Sequence, residues 1–136
     1  MSNLAAVQAI YEAFGRGDIP AIIAAVSDDV EWEANGHDHG VPWLTPGRGK
    51  EHVARFFQAL GALDITKFAP KNMLEGGSQV AAVIDIELTV RATGGKVVDE
   101  ELHLWTFGPD GKVTAFRHAA DTAQHVAAFR GQGAAV

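Results

Sequence analysis

The chain has 136 residues, 47% of them hydrophobic, with a net charge of −6 and no cysteine. This is enough apolar material for one compact domain over residues 1–136, and too much for a disordered chain. The acidic balance and scattered Lys and Arg argue against a nucleic-acid partner, disulfides and thiolate metal ligation are excluded, no apolar run approaches the roughly 20 residues of a membrane helix, and Met1–Glu12 lacks a signal-peptide pattern, so a cytoplasmic protein is expected.

Leu4, Val7, Ile10, Tyr11 and Phe14 recur at helical spacing and predict an amphipathic helix over Asn3–Gly15, capped by Ser2 or Asn3 and ended by Gly15 and Gly17. Asp18 caps a short helix, Ile19–Val26, with Pro20 in its first turn. A strand, Val30–Ala34, follows Asp28-Asp29. The glycines and prolines of Asn35–Pro46 predict a loop, in which Trp43 is placed as a lid contact. A third helix runs from Arg48 to Leu60, with Val53, Phe56, Phe57 and Leu60 on its apolar stripe. Four strands follow, Leu63–Leu74, Gln79–Arg91, Lys96–Phe107 and Lys112–Ala120, joined through Gly76-Gly77, Gly94-Gly95 and Pro109-Asp110-Gly111. Asp121 caps a last helix, Thr122–Phe129, with Gln124 as capping partner, and Arg130–Val136 is expected to fray. This order predicts an α+β fold in which a curved antiparallel sheet wraps around three N-terminal helices.

Alternation assigns two faces to each strand. In Gln79–Arg91 one face carries Val80, Ala82, Ile84, Ile86, Leu88 and Val90, and the other Ala81, Val83, Asp85, Glu87 and Thr89. In the next strand Glu101, His103, Trp105 and Phe107 oppose Leu102, Leu104 and Thr106. A solvated sheet face accounts for Asp and Glu. Mixed with large apolar side chains and a histidine, they read instead as a pocket wall. On that choice Asp85, Glu87, Glu101 and His103 face inward, with His118 beside Phe116 on the last strand. Ile84, Ile86, Leu88, Leu102 and Leu104 then form an outer apolar face, which predicts a homodimer through the sheets. Asp85 and Glu87 would lie roughly 7 Å apart, a spacing that suits a general acid with a neighbouring carboxylate.

Tyr11, Phe14, Trp32, Trp43, Phe56, Val83, Glu101, Trp105 and Phe116 are the candidate ligand-binding residues. Several alternatives stay open. His103 also reads as a core histidine satisfied by a carboxylate, and Asp121 as a helix cap rather than an acid. His37-Asp38-His39 has no third histidine nearby, so no metal site is assigned. Gly47-Arg48-Gly49-Lys50 lacks the spacing of a phosphate loop.

Five short marks, in this order, carry a resemblance: Ile10-Tyr11-Glu12-Ala13-Phe14-Gly15-Arg16-Gly17-Asp18, Ser27-Asp28-Asp29-Val30, Gly47-Arg48, Asp110-Gly111-Lys112-Val113 and Asp121-Thr122. Together they resemble the SnoaL-like branch of the nuclear transport factor two-like superfamily. The resemblance implies a cone-shaped α+β barrel with an internal small-molecule pocket. It does not choose a reaction, since the superfamily includes ketosteroid isomerase, limonene epoxide hydrolase and polyketide cyclases. The isomerase tyrosine and its two aspartates fall on Ile10, Ala34 and His103, so that constellation is not retained. The two hydrolase residues of the middle strand fall on Glu87 and Asp85, and its last aspartate on His118. The cyclases use a His and Asp pair without a cofactor. The resemblance therefore implies His103, His118, Asp85 and Glu87 as candidate catalytic residues and no cofactor. The expected function is acid/base chemistry on a largely apolar small molecule. A non-catalytic binding module, or a structural dimer, is the alternative.

Overall fold

The computed structural model describes residues 2–131. Most of the tail expected to fray lies outside that range. Helix α1 spans Asn3–Gly15, and the Ser2 hydroxyl accepts from the Ala5 N–H at 3.0 Å. Val7, Ile10 and Ala13 are its buried row. Helix α2, Ile19–Ala24, is capped by Asp18, whose carboxylate accepts from the Ala21 N–H. It stops before Val26 because that residue opens strand β1, Val26–Trp32, and pairs with Val113. A two-residue strand β2, Gly47–Arg48, pairs with Glu31 and Trp32, so the third helix α3 starts later than its apolar stripe predicts, at Lys50, and runs to Ala59. Gly49 caps it at φ 92°, a left-handed conformation that glycine adopts without penalty.

Strands β3 (Leu63–Gly76), β4 (Gln79–Val90), β5 (Lys96–Phe107) and β6 (Val113–Ala119) form the expected meander, followed by helix α4, Thr122–Arg130. The sheet is open and curved, with strand order β2-β1-β6-β5-β4-β3. It is mixed rather than purely antiparallel, because β1 runs parallel to β6. The core lies between the sheet and helices α1–α3. Helix α4 closes the end of the core: Ala128 sits so tightly on Gly95 that a Cβ there would stand 2.5 Å from its backbone. Among the described residues no helix is long and apolar enough to cross a membrane.

The structure reverses one expectation about β4. Its buried face is the apolar one, Val80, Ala82, Ile84, Ile86, Leu88 and Val90. Val83, Asp85 and Glu87 point to the outside of the sheet. The polar face gains nothing by burial, because the carboxylates keep water and lysine partners: Lys71 Nζ lies 3.0 Å from Asp85 and also pairs with Glu100, and Lys67 Nζ lies 3.9 Å from Glu87. The outer face is accordingly less apolar than expected. Ile84, Ile86 and Leu88 leave it, while Leu102 and Leu104 remain exposed and are joined by Leu74 and Val98.

Candidate functional site

Strand β5 turns Glu101, His103 and Trp105 inward, and all three are buried. The register sets His103 opposite His118, and Trp105 opposite Phe116. Helix α1 brings Tyr11 against this row from the other side. The result is a cavity of about 70 Å3 between helices and sheet. Its walls include Tyr11, Phe14, Trp32, Trp43, Phe56, Glu101, His103, Trp105, Phe116, His118 and His125, with Ile86, Leu88 and Phe68 filling gaps between the rings. Trp32 stacks on Phe116 at 4.3 Å, and the His103 and His118 rings meet edge to face at 4.7 Å.

Ten of the thirteen sequence-predicted site residues meet here. Asp85, Glu87 and Val83 do not, for the reason given above. Trp43 lies in the cavity wall, buried, and its Nε1–H donates to His125 Nδ1 at 2.9 Å. Asp121 is an exposed helix cap, accepting from the Gln124 backbone and side chain. Gln124 in turn holds Val98 by both its N–H and its carbonyl.

One chain of hydrogen bonds settles the protons around His103. Indole nitrogen can only donate, so Trp105 Nε1–H donates to the Tyr11 oxygen at 2.9 Å. Tyr11 O–H then donates to His103 Nδ1 at 2.6 Å. The ionised Glu101 carboxylate only accepts, so the His103 proton sits on Nε2 and is donated to Glu101 Oε1 at 2.7 Å, which leaves Nδ1 of the neutral ring to accept from Tyr11. The electrostatics agree. Burial pulls the His103 pKa down, against the pull of Glu101, and the ring is neutral. Burial alone would raise Glu101, but the His103 hydrogen bond and the charges of His118, His103 and His125 outweigh it and hold the carboxyl at about 2. Burial pushes the Tyr11 hydroxyl far up, so it stays a donor.

His118 has the opposite environment. Burial works against its charge, yet the adjacent Glu33 carboxylate, through attraction and a hydrogen bond to Nδ1, raises its pKa above the ordinary value. The cavity thus holds a neutral histidine backed by a carboxylate, and a histidine that favours the cation. Their ligating atoms, with that of Glu101, all lie within 4.8 Å of one another. Such a trio has the donor types of a divalent-metal site, but the Glu101–His103 hydrogen bond already engages two of its atoms. Groups whose environments push their pKa values apart are suited to act as acid and base.

Glu33 and His125 were not legible as site residues. Alternation in β1 puts Val30 and Trp32 inward and predicts Glu33 outward. The backbone turns left-handed at Glu33 (φ 57°) and Asn35 (φ 61°), and this swings the carboxylate in. The available signal was Ala34-Asn35-Gly36, a turn sequence whose Asn tolerates that conformation. His125 shares the inner face of α4 with Ala128, three residues on. That spacing was the signal for His125.

A family model described as a SnoaL-like domain matches residues 7–116. The chain belongs to the SnoaL-like domain family. No curated protein matches it. Among solved structures, this SnoaL-like chain is similar to an NTF2-like protein from Burkholderia thailandensis, with 25% identity, a TM-score of 0.82, and coverage of 95% of this chain and 98% of that one. An NTF2-like protein of unknown function from Burkholderia pseudomallei matches at 25% identity and TM-score 0.80, over 94% and 98% of the two chains. TerC, co-crystallised with polyporic acid, matches at 25% identity and TM-score 0.76, over 94% and 98%. The SnoaL-like fold expected from the sequence is therefore the fold observed.

Proposed function

We propose that this single SnoaL-like domain binds a largely apolar small molecule in its internal cavity and performs proton transfer on it. The observation that carries the reading is the pairing, inside one aromatic cavity, of a neutral Glu101-backed His103 with a Glu33-backed His118 of raised pKa. His118 is the acid, and the Glu101–His103 pair accepts a proton on Glu101 Oε2, the oxygen that its internal hydrogen bond leaves free. Tyr11 and Trp105 position that pair. The chemistry is of the kind that isomerisation, cyclisation or water addition requires. The TerC crystal with polyporic acid, on a similar fold, is consistent with a small-molecule ligand.

The test is deuterium incorporation next to the carbonyl of added ketones, acetophenone and cyclohexanone, followed by proton NMR in D2O. Wild type is expected to accelerate exchange, and His118→Phe and Glu101→Gln to lose on the order of 100-fold of it. Binding without accelerated exchange would favour a second reading, a non-catalytic ligand-binding module. That reading draws on the absence of the isomerase set, whose positions hold Ile10, Ala34 and His103.

The outer face of the sheet supports a homodimer. Leu74, Ala81 and Leu104 align across β3, β4 and β5, beside Val83 and Leu102. Four of these side chains or their neighbours, Leu74, Val98, Leu102 and Leu104, are exposed.

A further inference from the structure

Trp43 Nε1–H can only donate, so His125 Nδ1 must accept, and the proton of the neutral ring sits on Nε2. Burial holds the His125 pKa below its ordinary value, which keeps the ring neutral. His125 is only 3% exposed, and its Nε2–H has no hydrogen-bond partner among the described residues. Trp32 is 1% exposed, and its Nε1–H is likewise enclosed and unpartnered. Both rings line the cavity. Buried polar groups in folded proteins are almost always paired, so two unpaired donors on one apolar cavity ask for a reason.

The other polar groups of the cavity do not compete for this role. Tyr11, Trp105, His103 and Glu101 use one another, and His118 uses Glu33. The enclosed side-chain atoms that lack a partner and belong to the cavity wall are both N–H groups. Both of these enclosed donors lack an acceptor, while Glu101 Oε2 and His118 Nε2 are left to the reacting atoms.

We infer that the ligand of this cavity carries a hydrogen-bond acceptor, a carbonyl or comparable oxygen, which His125 Nε2–H and Trp32 Nε1–H receive. This rests on the small-molecule reading above and adds the class of ligand and the residues that select it. His125 and Trp32 orient the ligand, while His118 and the Glu101–His103 pair face its reacting atoms. A hydrocarbon of the same shape would leave both donors unpaired and would bind less tightly.

The probes are acetophenone and α-methylstyrene, which have nearly the same shape and differ in a carbonyl oxygen replaced by a methylene group. Dissociation constants are measured by ligand-observed NMR on the full chain. Wild type is expected to prefer acetophenone by about tenfold, the scale of one buried hydrogen bond. His125→Phe is expected to shrink that ratio while keeping affinity for α-methylstyrene, and Trp32→Phe to shrink it as well. Should a variant fail to fold, the His125 Nε2–H resonance of the wild type gives the same answer, moving downfield with acetophenone and not with α-methylstyrene. Equal affinity for both probes, or an unmoved His125 resonance with acetophenone bound, overturns the inference and leaves the pocket reading standing. Binding of neither probe overturns both.

Discussion

Tyr11 is the residue on which the buried network turns. Its oxygen accepts from Trp105 and its proton goes to His103, so removing it orphans a donor and an acceptor together. Tyr11→Phe is expected to cost about 1–3 kcal/mol in urea denaturation, the range for unpaired buried polar groups. Asp85→Asn and Glu87→Gln, whose side chains lie with lysines on the outer face, are expected to stay within about 0.5 kcal/mol of wild type, as exposed ion pairs do. A loss above 2 kcal/mol from either outer substitution would contradict their placement. At this scale the sequence was a mixed guide. Glu101, His103, Trp105 and His118 were legible because strand parity and the register of adjacent hairpins are local properties. Glu33 was not, because a left-handed turn reverses parity after Trp32 and nothing in the alternation marks where that happens.

At the scale of elements, strand boundaries were legible where glycine turns delimit them, as in β5. Which face of β4 turns inward was not fixed by alternation alone. One face was apolar at every position, and burying it removes more apolar surface from water than burying a face with two carboxylates. The mixed composition of the other face reflected its cross-strand partners, Leu102 and Glu100 opposite Val83 and Asp85. The parallel pairing of β1 with β6 was likewise not legible, since it joins the two ends of the chain. The outer face that results, Leu74, Val98, Leu102 and Leu104 beside Lys67 and Lys71, predicts self-association through the sheet. Light scattering after size exclusion is expected to give twice the chain mass at micromolar concentration, and Leu102→Lys with Leu104→Lys to give the monomer. A wild-type monomer would remove the dimer.

The whole molecule carries the buried charges as a pH dependence of stability. Glu101 sits at about 2 in the fold against an ordinary 4.5, so its contribution is present above 4.5 and lost as pH falls toward 2. His103 and His125 are lowered from 6.5, so the stability of their neutral burial is lost as pH falls below that value. His118, raised above 6.5, works in the other direction: its contribution is complete below 6.5 and lost as pH rises through its folded value. Below 6.5 the His118 contribution is already complete, so His103 and His125 alone make the protein less stable as pH drops, and Glu101 steepens the fall below 4.5. Chemical denaturation between pH 7 and 3 is expected to trace this descent, with Glu101→Gln flattening its lower part. Equal stability at pH 7 and 3 would contradict it.

The most direct measurement is a pH titration of the histidine ring nitrogens by 15N NMR in the wild-type chain. At pH 7, His103 is expected to be neutral with its proton on Nε2, and to titrate below pH 6.5, while His118 is expected to titrate above pH 6.5. If the two rings instead titrate together near 6.5, the cavity holds no separated acid and base, and the proton-transfer function falls.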